Sequence, residues 1–126
     1  MRKIVSVLSA LLVLGLAVSS ANAAESKAVV AMSGILTTLQ HFPNTSDKQI
    51  LGQIVEDKTT TADERTVAKA LLNVQHKVAA GDKAGLDAVV ADAKASSGVK
   101  TLAGIILSLN HMPSADDKTK LAALSK

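Results

Sequence analysis

Three histidines, His41, His76 and His111, stand 35 residues apart, and the residues around them recur at the same interval. Leu36-Thr37-Thr38-Leu39-Gln40-His41 aligns without a gap to Leu71-Leu72-Asn73-Val74-Gln75-His76 and to Ile106-Leu107-Ser108-Leu109-Asn110-His111. An Asp-Lys pair follows each histidine at a constant distance: Asp47-Lys48, Asp82-Lys83 and Asp117-Lys118. No other feature constrains the fold as much. A unit this short cannot bury an apolar face alone and must stack on copies of itself.

Before each histidine the apolar residues follow the spacing i, i+3, i+4, i+7. They are Met32, Ile35, Leu36 and Leu39 in the first copy, Val67, Ala70, Leu71 and Val74 in the second, and Leu102, Ile105, Ile106 and Leu109 in the third. That is the apolar stripe of an amphipathic helix, three times over. After the Asp-Lys pairs a shorter pattern places Leu51 and Ile54, Leu86 and Val89, and Leu121 and Leu124 three apart, so each copy is a helical hairpin. The turns support this reading. Pro43 and Pro113 stop a helix, and Asn44-x-x-Asp47, Ser114-x-x-Asp117 and Thr61-x-x-Glu64 pair a capping oxygen with an acid in the first turn. In the middle copy Gly81 serves as a helix C-terminal residue and Asp82 as the next N-cap. The pattern predicts helices near 26–42, 45–57, 62–79, 82–94, 98–111 and 114–125. The fold class is all-α: three tandem hairpins of about 35 residues, arranged as a short solenoid or closed into a bundle. Gly34 and Gly104, equivalent in the outer copies, suggest close approach of a second helix backbone. The period is near that of 34-residue tetratricopeptide units. The Trp, Tyr and Gly positions of that motif are not present, and the prolines fall inside the hairpin.

Residues 1–23 have the layout of a secretory signal peptide. Arg2 and Lys3 precede an apolar run from Ile4 to Val18, and Ala21-Asn22-Ala23 offers a cleavage site after Ala23. The apolar run is short for a bilayer span, so cleavage leaves no membrane anchor and a periplasmic or secreted protein. A single domain, 24–126, remains, with copies at roughly 27–61, 62–96 and 97–126. The full chain holds 14 Lys+Arg and 11 Asp+Glu; loss of Arg2 and Lys3 brings the net charge from +3 to +1. The remaining lysines are interspersed with acids, and Phe42 is the only aromatic residue. No basic stripe or stacking platform for nucleic acid is present. Without cysteine, neither disulfides nor thiolate ligands support the fold.

Four roles compete for the histidines. The leading one is structural: a histidine in the last helical turn meets the negative end of the macrodipole and reaches the acid opening the next helix, Asp47, Asp82 or Asp117. The alternative is a transition-metal site formed by His41, His76 and His111, since imidazole suits such ions. Geometry decides between them. In an open stack the three rings form a row, and only closure around a threefold axis brings them to one ion. Haem ligation through His111-Met112-Pro113 lacks the Cys-x-x-Cys-His attachment motif. The trio Ser46, His41 and Asp47 crowds one turn without an oxyanion device. No organic cofactor is indicated. The sequence therefore points to a non-enzymatic interaction or structural role, with a protein partner or self-association through the apolar faces of the outer helices, 26–42 and 114–125. Histidine-based metal binding or buffering in the periplasm is the second reading.

Overall fold

The computed structural model describes residues 25–125, so the expected export signal lies outside it. The described chain is all-helical. Its elements are α1 (Lys27–Thr37), α2 (Thr45–Glu56), α3 (Ala62–Leu72), a 3-10 turn (Ala80–Asp82), α4 (Lys83–Ala91), α5 (Ser97–Leu107) and α6 (Ala115–Leu124). Helices α1, α3 and α5 each span 11 residues and pack against one another; α2, α4 and α6 lie outside them. All twelve stripe residues preceding the histidines are buried, as are the pairs Leu51/Ile54, Leu86/Val89 and Leu121/Leu124. Two core residues per outer helix against four or more per inner helix follow directly from this layering.

The bundle is closed. Consecutive helices touch, as hairpins require, but the tightest packing joins α2 to α3, α4 to α5, and α6 back to α1. Loop length accounts for two of these pairs: five residues, 57–61 and 92–96, join α2 to α3 and α4 to α5, whereas seven-residue loops follow α1, α3 and α5. α6 and α1 share no loop and meet through packing alone. The apolar faces of the outer helices, expected to be left open at the ends of a stack, are turned on each other. A hydrogen bond of 3.0 Å between the hydroxyls of Ser33 and Ser125 spans that closing contact. Among the described residues no helix is long and apolar enough to cross a membrane.

Capping accounts for where the helices start. Ser26, Asn44, Thr61, Ser96 and Ser114 each accept the backbone N–H three residues on, at 2.8–3.2 Å. Thr61/Glu64 and Ser114/Asp117 complete reciprocal capping boxes. Asp82 departs from expectation. It caps nothing and instead accepts a hydrogen bond from the Asn73 amide at 3.0 Å, because a 3-10 turn occupies the place of the predicted cap. Gly81 sits within that turn rather than ending a helix. Gly34 and Gly104 face open space, so no close helix approach requires them.

The predicted helices 26–42, 62–79 and 98–111 run too far. α1, α3 and α5 end at Thr37, Leu72 and Leu107, four residues before each histidine. The stripe continues because Leu39, Val74 and Leu109 donate to carbonyls three residues back, at 3.2–3.3 Å, in one tight turn that keeps their side chains on the core.

Candidate metal centre

The seven-residue loops after the inner helices all turn at their histidine. His41, His76 and His111 have φ of 74°, 68° and 70°, and they are the residues other than glycine with positive φ among those described. This left-handed conformation costs a side-chain-bearing residue about 1–3 kcal/mol, although histidine tolerates it better than most. At His41 the turn is closed by a 2.8 Å bond from the Phe42 N–H to the Gln40 carbonyl, a γ-turn. Pro43, Val78 and Pro113, two residues beyond each histidine, are buried and pin the chain as it leaves.

The three turns bond to one another in a ring. The backbone N–H of His41 donates to the carbonyl of His111 at 2.8 Å, that of His76 to His41 at 2.6 Å, and that of His111 to His76 at 2.6 Å. Every histidine thus donates to one partner and accepts from the other. The main chain is satisfied without help from the imidazoles, and the side chains are free for another purpose. Ring centroids lie 4.9, 5.3 and 5.0 Å apart in edge-to-face contact. All three side chains are exposed.

A row of rings is therefore not what this chain builds. One nitrogen from each ring lies within 4.8 Å of the others. The Nδ1 atoms of His41 and His76 are 3.1 Å apart. Nitrogens bound to one tetrahedral zinc at 2.0–2.1 Å stand about 3.3 Å from each other. That pair is already at ligand spacing, and all three rings are exposed, where rotamer changes take nanoseconds or less. The Nδ1 of His111 lies 2.9 Å from the Asn110 side-chain oxygen. A neighbouring oxygen that accepts from one imidazole nitrogen fixes the tautomer and leaves the other nitrogen available to ligate, and Asn110 is placed to do this for His111.

Among the described residues no hydrogen bond joins the three imidazoles to the expected helix-opening acids, Asp47, Asp82 and Asp117. The histidines stand clear of the last helical turn. The Asp82 and Asp117 carboxylates accept from the Asn73 amide and the Ser114 N–H, while Asp47 donates its backbone N–H to Asn44. The trio Ser46, His41 and Asp47 is likewise not joined, since Nδ1 of His41 faces His76.

The opposite ends of the inner helices carry a different cluster, which sequence reasoning missed. Glu64 occupies the position of Val29 and Val99, and it is buried. Its carboxylate accepts the Ser26 hydroxyl and the Thr61 N–H. Nearby, a hydrogen bond shared with the Asp92 carboxylate raises the Asp63 carboxyl above its ordinary range. The same bond lowers Asp92, helped by the Lys94 N–H. Asp57 is lowered by its bonds to the hydroxyl and N–H of Thr59.

No family model, curated protein or solved structure matches this chain.

Proposed function

We propose that this protein binds one transition-metal ion through His41, His76 and His111, and that holding the ion, as a carrier or buffer, is its role. The observation that carries this reading is the hydrogen-bonded ring of left-handed turns that delivers three imidazoles to one point. Nothing in core packing calls for it: glycine would adopt the same φ without strain, yet histidine stands at all three places. An all-imidazole set without thiolate suits Zn²⁺, Cu²⁺, Ni²⁺ or Co²⁺. The exposed site exchanges ions readily, and protons compete for it because only unprotonated imidazole ligates. We place this activity outside the cytoplasm, following the reading of residues 1–23 as an export signal.

The test is titration with each ion, followed by calorimetry and thermal melting. A ligand that binds only the folded state raises the melting temperature. One ion per chain and a higher Tm are expected. Asparagine tolerates left-handed φ, so replacing all three histidines by asparagine preserves the turns and removes the shift. An equal shift in that variant, or none in the wild type, overturns the proposal.

A further inference from the structure

Three ligands do not complete the coordination of such an ion, and catalytic or exchanging three-histidine sites keep a further position open. The surface beside the triad indicates what fills it. A cleft of about 300 Å³ adjoins His76 and is lined by Phe42, Lys48, Leu72, Val74, Gln75 and His76. Phe42, 55% exposed, is the wall between this cleft and another lined by Gln40, Asn44 and Asp47. The Asp47-Lys48 pair is divided between the two, Asp47 lining the second cleft and Lys48 the one that holds His76. A second cation, Lys77, directly follows His76. The other copies have Lys77 and Met112 where Phe42 stands, so an aromatic wall belongs to this cleft alone.

From this juxtaposition, and resting on the metal reading above, we infer that the cleft between Phe42 and His76 binds a small organic monocarboxylate. Its carboxylate takes the open position on the ion and pairs with Lys48. Its hydrocarbon tail lies against Phe42 and Leu72. A cleft lined by a metal ligand, a lysine and apolar side chains favours an anion with an apolar body over a simple inorganic one.

Cobalt(II) makes the site visible, because its d–d absorption reports each change in coordination. The purified protein loaded with Co²⁺ is titrated with hexanoate and, separately, acetate. Both are expected to alter the spectrum, hexanoate at about tenfold lower concentration, the factor supplied when roughly two methylenes leave water. Phe42→Ala should bring the two ligands within about twofold of each other. Lys48→Ala should weaken both, with Co²⁺ affinity measured alongside for each variant. Hexanoate no better than acetate, or a preference indifferent to Phe42→Ala, overturns the carboxylate site while leaving the metal site standing. Failure of Co²⁺ to bind stoichiometrically removes both.

Discussion

The inner helices begin and end differently. At their C-terminal ends the three copies present the same residue in the same strained backbone, tied into one ring. At their N-terminal ends, about 16 Å away along eleven residues, the copies diverge. Val29, Glu64 and Val99 share one position, and Ala28, Asp63 and Gly98 another. Packing is satisfied at both ends, so packing does not explain the identity of the histidines. The divergent end shows how freely a closed three-part bundle accepts different residues, and the uniform end shows where it pays conformational energy to keep one.

The largest effect should come from the core joining the ends. Leu71→Ala empties a fully buried position on α3 and is expected to cost about 2–5 kcal/mol in urea unfolding. Because the histidine ring is built from backbone bonds in the loops, any molecules still folded should bind metal with unchanged stoichiometry. Loss of binding before loss of structure would show that the ring depends on α3 packing and would blur the contrast between ends.

Glu64→Ala tests the divergent end. The change strands the Ser26 hydroxyl and the Thr61 N–H and opens the capping box, an expected loss of about 1–3 kcal/mol. Metal affinity should not move. A silent substitution would mean that Glu64, despite its burial, ties nothing together.

Replacing all three histidines by glycine tests the uniform end. Relief of left-handed strain, partly offset by the entropy of glycine, should raise the stability of the metal-free protein by about 1–2 kcal/mol. The same change should abolish the metal-induced rise in Tm. If the variant is instead destabilised by a similar amount, the stacked rings themselves hold the loops, and the functional argument loses its main support.

How much of this was legible in the sequence follows from what each signal depends on. The apolar stripes were, because helical period is a local property: every residue from Met32 to Leu109 assigned to a stripe is buried. The capping residues Ser114, Asn44 and Thr61 were legible for the same reason. The helix ends were not, since Leu39, Val74 and Leu109 hold the helical phase through a tight turn after the helix has stopped. Nor could the left-handed turns be read: the residue with positive φ in each copy is histidine, not the glycine or asparagine that usually marks that conformation. The three candidate ligands were found from their spacing. Whether they form a row or a point depends on α6 reaching α1, a contact between residues about 90 apart that no local pattern encodes. Glu64 was read as half of a capping box, and its burial beside Ser26 arises only when the three N-termini converge.

The smallest effect separates the ends by pH. The Asp63 carboxyl is raised, first by its hydrogen bond with Asp92, so the folded protein holds that proton more tightly than the unfolded chain does. Stability from Asp63 is therefore present at low pH and declines as pH rises through its folded value, when the two carboxylates repel. Asp92, lowered by the same bond, has the opposite sign: its contribution is present above the ordinary aspartate range and is lost on acidification. Asp63→Asn replaces the shared proton with a permanent amide donor. The variant should match the wild type in acid and exceed it at neutral pH by about one degree in Tm, no more, because the pair is only partly buried and solvent screens it. The metal-induced shift should be the same in both proteins at neutral pH. A variant less stable than the wild type at neutral pH would place a favourable partner for the Asp63 charge at this end, and a lost metal shift would show that the two ends are coupled through the helices between them.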